Sequence, residues 1–535
     1  LGYPDNLEGL NWHNAMVIPN PEIPDELEVR TASGFIYFLD RVVPPMPSIE
    51  EYMRSNQDKF GLYYDILQRF AVYGNQRIDE QRRVLYRKSY DLVFDLAEER
   101  GPSTNTAVPP QNMWTAFLPS DQVLQNYLDN TILNYYNTID DVPKVTLFYI
   151  LQSQLSGALV LMSKLENGYF NAFGDPTEIN ESDIESAHMC SNGIIYETNR
   201  ILEPNVFKCV PGLLFFDQEY STLLYILNQA NMLTSISNPD ADVTVFATTN
   251  EKLEEYGIRY NETNQIVEAR GPLDGTWKPM TTNNLTIFAQ DQIYKGRISD
   301  FSGSEKYVEL NSGTYIKYGN NSIVGPENII TNTPSSVQEL IENELNGFLV
   351  KVDNPIMSDL VMGKILTTTE PTEPRNFADP ELSEFAQLLI DARMLDPRYK
   401  NPLTKENIPN LKLLGSADYW TGFLPTNTAI AEARAQGLIP EDADSLLNFL
   451  NYHFVREDVI FDNGEKSGNF KTNMTYTDTL DNTIKYTTIK IMNSPGNLTI
   501  EDAAGRIINV DPSDANILVR KGVAHKINSV LKYFE

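Results

Sequence analysis

The feature that most constrains this 535-residue chain is a short block that recurs along it. Trp114-Thr115-Ala116-Phe117-Leu118-Pro119-Ser120-Asp121 returns as Trp420-Thr421-Gly422-Phe423-Leu424-Pro425-Thr426-Asn427, and more loosely as Val243-Thr244-Val245-Phe246-Ala247-Thr248-Thr249-Asn250. An internal repeat fixes the architecture before any single residue does, because each copy must build the same unit. Alternation around the Phe predicts a short buried strand. Pro119 or Pro425 ends it, since proline cannot donate to a ladder. Asp121, Asn250 and Asn427 are then expected to cap helices over 122–129, 251–256 and 428–436. Gly257 and Gly437 stand where a left-handed stop is wanted.

A second block appears four times, at residues 34–43, 193–202, 347–353 and 522–531. Each copy opens with glycine (Gly34, Gly193, Gly347, Gly522), which suits a turn of positive φ. Each carries Asp or Asn at its seventh position (Asp40, Asn199, Asp353, Asn528), where a short side chain can bond its own backbone. The blocks alternate: Phe117 is followed by Gly193, Phe246 by Gly347 and Phe423 by Gly522, so three complete units follow an orphan copy at Gly34. Helical patterns precede the first block at 48–73 and 77–99, 218–233 and 380–395. In the last, Leu382, Phe385, Leu388, Leu389 and Ala392 make one apolar face. Between the blocks lie alternating strands such as 486–491.

The two blocks resemble the boxes of the fasciclin (FAS1) domain family. The first is similar to T-V-F-A-P-[TS]-[ND], best at 244–250 and 421–427. The second is similar to N-G-x-[IV]-H-x-[IV]-D-x-[IV]-L, where Gly522, His525, Ile527, Asn528, Val530 and Leu531 match. Tyr37, Tyr196 and Val350 stand in the His column of the other copies, and Tyr452-His453-Phe454 resembles the family's central Tyr-His segment. The resemblance implies an α+β fold, with tandem domains that are each a twisted antiparallel sheet wedge with a helical cluster. It divides the chain into a C-terminal remnant of such a domain (1–45), a fasciclin-like domain (46–208), a divergent one (209–370) and a third (371–535). Pro44-Pro45, Pro211-Gly212 and 367–374 are the candidate joints.

Members of that family are mostly non-catalytic adhesion and matrix domains, secreted or anchored at cell surfaces. The acidic, Asn- and Tyr-rich, Cys-poor style resembles multi-domain surface lipoproteins of Bacteroidetes-type bacteria. That implies a protein partner at the outer membrane, such as a starch-utilisation-type transporter complex, with a glycan or peptide as ligand. An adhesin or matrix protein is the alternative. The chain opens at Leu1 with neither initiator Met nor signal peptide, which reads as a processed or trimmed start and leaves room for a lipid anchor upstream.

Composition narrows the chemistry. A formal charge of −31 repels nucleic-acid backbones. The one basic stretch, Arg82-Arg83 through Arg87-Lys88, reads as the solvated face of a helix. No apolar run reaches the roughly 20 residues a membrane helix needs. Cys190 and Cys209 make either one bridge or two buried thiols. There is no G-x-S-x-G, P-loop, H-E-x-x-H or C-x-x-C motif. Of four histidines, His453 and His525 are expected to be bonded core residues rather than bases. Asp240-Ala241-Asp242 lacks the glycine and terminal Glu of a calcium loop, so no metal or other cofactor is expected. The ligand candidate is Trp277, in the turn-rich sequence 274–279, as a stacking platform for a sugar or an anchor for a protein.

Overall fold

In the computed structural model every first block is a six-residue strand, Trp114–Pro119, Val243–Thr248 and Trp420–Pro425, with all six residues buried. The last three copies of the second block are strands too: Gly193–Thr198, Gly347–Val352 and Gly522–Ile527. The two pair parallel, always in one register: Trp114 opposite Gly193, Val243 opposite Gly347, Trp420 opposite Gly522. Every other ladder among the described residues is antiparallel.

The glycine is required here by proximity rather than by a turn. A Cβ on Gly193, Gly347 or Gly522 would lie 2.2, 1.8 or 2.5 Å from the carbonyl oxygen of its partner residue, well inside van der Waals contact. Only Gly347 of the four has a positive φ, so the expected turn conformation is corrected for the rest. Gly34 meets nothing within 4 Å. Its strands, Phe35–Ile36 and Phe38–Leu39, pair with Val29–Arg30 and Val17–Ile18, and among the described residues no first-block strand joins them.

The structure describes residues 17–23, 29–40, 42, 46–78, 82–92, 96, 113–165, 167–177, 179–271, 275–358, 360–367, 378–398, 409–412, 419–480 and 482–533. The joints at Pro44-Pro45 and 368–374 lie outside them. The chain forms two compact units, residues 1–208 with 215–217, and 209–214 with 218–535. The first unit holds a four-stranded sheet around its block pair; the second holds a seven-stranded and an eight-stranded sheet around the other two.

Because strand residues two apart share a face, Trp420 and Leu424 point one way and Phe423 the other. Trp420 and Leu424 pack among Leu382, Phe385, Leu389, Phe449 and Leu450 of the helical side, while Phe423 packs with Ile460, Ile489, Leu498 and Ile500 of the wedge. With both faces covered, Trp114 and Trp420 are 1% and 3% exposed.

Two polar positions of the first block repeat with their partners in all three copies. Thr115, Thr244 and Thr421 each donate from Oγ1 to a carbonyl and accept the amide two residues later: Ala158 and Val160, Gly296 and Ile298, Asp458 and Ile460, at 2.7–3.1 Å. The sequence expectation that Asp121, Asn250 and Asn427 cap the helices after them is corrected. Thr249 and Thr426 cap those helices in the second and third copies. The acceptor oxygens of Asp121, Asn250 and Asn427 instead take the amides of Leu62, Thr222 and Glu384 at 2.8–2.9 Å, capping the helix that precedes the strand. In the last two copies the Asn amide adds Ser221 and Ser383, at the heads of those helices.

The helix expected over 77–99 is also corrected. Residues Ala71–Ile78 and Val84–Tyr90 form an antiparallel hairpin, and the preceding helices are Ile49–Ser55 and Gln57–Gln68. Lys88 holds the second strand down, reaching Gln68 Oε1 at 2.6 Å and the buried Glu50 at 3.3 Å. Arg82-Arg83 belongs to this hairpin and not to a helix face.

Gly522→Ala is expected to lower the unfolding free energy of its unit by about 1–3 kcal/mol through overpacking. Trp420→Ala should cost about 3–5 kcal/mol. Gly34→Ala should stay within about 0.5 kcal/mol of the parent chain. Equilibrium unfolding of the three variants checks the set.

Candidate functional site

The titratable side chains of the blocks are consumed by the fold. His453 is fully buried; its Nδ1 lies 2.8 Å from the Phe449 carbonyl and its Nε2 accepts the Leu531 amide at 3.0 Å. His525 is buried likewise, with Nε2 2.8 Å from the Ile460 carbonyl and Nδ1 accepting the Asn516 amide at 3.3 Å. Each ring therefore holds one donor and one acceptor role, which only the neutral form can fill. Burial brings both pKa values down to about 4. Neither ring has a free nitrogen for general-base work.

The other copies reach the same bonds with different residues. Gln154 donates to the Ile150 carbonyl and accepts the Leu202 amide; Gln292 does the same with Phe288 and Ile356. In the His525 column, the Tyr196 hydroxyl donates to the Val160 carbonyl at 2.9 Å, the counterpart of Ile460.

One constellation escaped the sequence reading. In the first unit His188 Nε2 lies 3.0 Å from Ser186 Oγ and 3.3 Å from Glu197 Oε1. A nucleophile–base–orienter relay needs Ser and carboxylate on opposite ring nitrogens. Here one nitrogen faces both, so the relay is absent. Glu197 is also bonded by Lys59 and by the Tyr52 hydroxyl, the latter at 3.2 Å. Burial works against its charge, but the bonds from Lys59 and Ser186 hold its carboxyl below the ordinary value. The cluster ties strand to helix.

Trp277 does not sit in a loop. It opens the strand Trp277–Pro279, third in a ribbon with Ile258–Asn261 and Ile266–Arg270. The register puts Arg259, Glu268, Arg270 and Trp277 on one face, with the Arg259 and Arg270 guanidinium carbons 4.2 and 4.8 Å from the indole centre. On the opposite face Tyr260 stacks on Tyr225 of the helix Ser221–Gln229 at 3.6 Å, so the Trp277 face is the outward one. The ribbon is peculiar to the second copy. It lies in residues 256–281, between helices Asn250–Glu255 and Thr282–Asp291, whereas in the third copy only residues 436–442 separate the matching helices.

Cys190 and Cys209 are buried thiols not joined in a disulfide, the Cys209 thiol donating to the Ser237 carbonyl at 3.2 Å, and burial pushes the Cys190 thiol up to about 12, away from thiolate chemistry. Asp242 pairs with Arg297. Among the described residues no group of three or more His, Cys, Asp or Glu could hold a metal ion, and no helix is long and apolar enough to cross a membrane. His13 lies outside the described residues.

The third copy carries the block pair, the histidine latch and the threonine clamp together. Residues 381–533 match the fasciclin domain family. The block pairs sit in tandem α+β copies of the kind that the match covers in the third, and fasciclin domains are typically adhesion-type or surface-associated. A FAS1 domain pair from the insect cell adhesion molecule fasciclin I is similar over 58% of this chain and 95% of its own, at 13% identity and a TM-score of 0.23. No curated protein matches the chain.

The buried histidines set an acid limit. Their folded pKa values lie below the unfolded value, so stability is full above about pH 6.5 and is lost as the pH falls from there toward 4, where the unfolded chain binds protons the folded one refuses. His453→Gln should retain the latch, as Gln154 and Gln292 do, and lose less stability between pH 7 and 5 than the parent chain. Urea midpoints at the two pH values check this.

Proposed function

We propose that this chain is a non-catalytic cell-surface binding protein whose fasciclin-like copies are scaffolds for recognition on their outer faces. The observation that carries the reading is a division of labour. The polar residues that recur between copies bond backbone groups inside the fold, while the copy-specific addition, the ribbon with Trp277, faces outward. Chain segments added to a scaffold and placed at its surface are where binding residues concentrate. The division into 1–45, 46–208, 209–370 and 371–535 belongs to the same proposal.

Association with an outer-membrane nutrient-uptake complex is its narrower form, and the acidic, Cys-poor composition supports it. Adhesion to another cell or polymer is the second reading, favoured by the family matched at 381–533. A lipid anchor and a neighbouring transporter partner separate the first from the second.

Trp277 is the proposed ligand contact, its indole and the two guanidinium groups packed on it together meeting a sugar ring or a peptide side chain. A glycan and peptide array probed with the intact chain, with hydrolysis monitored, should give binding without turnover. Trp277→Ala should weaken the bound class at least about ten-fold and leave the unfolding midpoint unchanged. Turnover of any arrayed compound would overturn the non-catalytic reading. Unchanged binding by the variant would remove Trp277 from the site.

A further inference from the structure

Within the second unit, the third copy is met by the second through aromatic rings. Tyr307 of the strand Lys306–Glu309 stacks on Phe461 at 4.0 Å and 7°, and Tyr315 of the paired strand Tyr315–Gly319 lies 5.4 Å from the same ring. Both tyrosines pack on a small apolar cluster of Val459, Phe461, Leu518 and Val523, with Tyr419 at its edge. Under that cover Val459 and Phe461 are only 3% and 5% exposed.

The threonine clamp and the ladder register identify the same face in the other copies. Val459 and Phe461 flank Ile460, whose amide Thr421 binds. The matching residues are Leu159 and Leu161 around Val160, and Arg297 and Ser299 around Ile298. Leu518 pairs with Val523, as Met189 does with Ile194 and Glu342 with Phe348. Tyr419, before the first block, corresponds to Met113 and to Asp242.

The second copy has made this face polar and closed it on itself, with Arg297 reaching Asp242 at 2.7 Å and Glu342 at 4.0 Å. The first copy has kept all five positions apolar: Met113, Leu159, Leu161, Met189 and Ile194. Of these only Ile194 is fully buried, and the other four are partly open to solvent. Beside them lies a cavity of about 400 Å³, lined by Ala158, Leu159 and Val160, with Phe170 exposed at its lip.

We propose that this face of the first copy is a docking site for a tyrosine-bearing β-ribbon on a partner protein chain, held as Tyr307 and Tyr315 are held by the third copy. The occupant follows from the chain's own example. In the third copy the apolar face is covered by two rings on a ribbon, and in the second copy the same positions hold charged side chains that pair among themselves. Paired aromatic rings seated in an apolar hollow are also what anchors protein interfaces in general. The site gives the binding function proposed above a protein partner, and it does not involve Trp277.

The test uses the intact chain and a disulfide-cyclised peptide of residues 306–319, with a photoreactive phenylalanine analogue in place of Tyr307. In the chain itself the third-copy face is already occupied by its tethered ribbon, so the peptide should bind the first copy and cross-link within residues 156–161 or 189–194. The double variant Leu161→Asp, Met189→Lys should weaken binding at least about ten-fold, the milder Leu161→Ser should weaken it less, and a peptide carrying Tyr307→Ala and Tyr315→Ala should not bind. Cross-links elsewhere, no binding, or equal binding to parent and Leu161→Ser chains that share one melting profile would overturn the assignment. Dimerisation of the chain alone, abolished by the same double variant, would place a second copy there and overturn the assignment to a separate partner. Trp277→Ala should change none of these results, so this site and the Trp277 site fail separately.

Discussion

A glycine pressed against a neighbouring carbonyl oxygen sets the geometry of each copy. The parallel strands of the two blocks run close enough at Gly193, Gly347 and Gly522 that no side chain fits between them and residues 114, 243 and 420. A parallel pair cannot be closed by a tight turn, so helices and further strands must fill the connection. That connection puts helices on the Trp420 face and the wedge on the Phe423 face. Once both faces are covered, polar groups near the pair have no water to bond, and each needs a partner within the protein.

The clamp, the shared cap and the latch answer that need. Each satisfies backbone groups of a segment distant in sequence, which is why the bonding positions persist while their residues vary. Gln154 and Gln292 are chemically unlike His453 but offer the same donor and acceptor pair. Tyr196 and His525 bond matching carbonyls in the same way. A histidine in such a place serves as a neutral amide substitute, and its presence in the core carries no implication of catalysis. Variation free of that duty is found on the outside, in the Trp277 ribbon and in the face that is apolar in the first and third copies and charged in the second.

The sequence made the block strands and their order legible, because a buried strand and an obligatory glycine leave strong local marks. Helix starts and the left-handed Gly257 and Gly437 were legible for the same reason. Bonds that close over distance were not. Asp121, Asn250 and Asn427 look like caps for the helices they precede, and nothing nearby reveals that their acceptors reach Leu62, Thr222 and Glu384. The paired strands Ala71–Ile78 and Val84–Tyr90 were hidden by their Arg, Lys and Gln content, which favours helix locally, while Lys88 reaching the buried Glu50 holds the second strand in place. Trp277 was legible as an outlying aromatic, but its strand and its two arginine neighbours were not.

Native-state hydrogen exchange tests most directly whether the recurring polar residues are structural. The amides they bind are those of Val160, Ile298 and Ile460, of Leu202, Ile356 and Leu531, and of Leu62, Thr222 and Glu384. If these groups hold the copies together, these amides exchange only with the cooperative opening of their copy, far more slowly than the outward ribbon over residues 258–279. Exchange of the clamp and latch amides at the rate of that ribbon, while the block strands stay protected, would contradict the account.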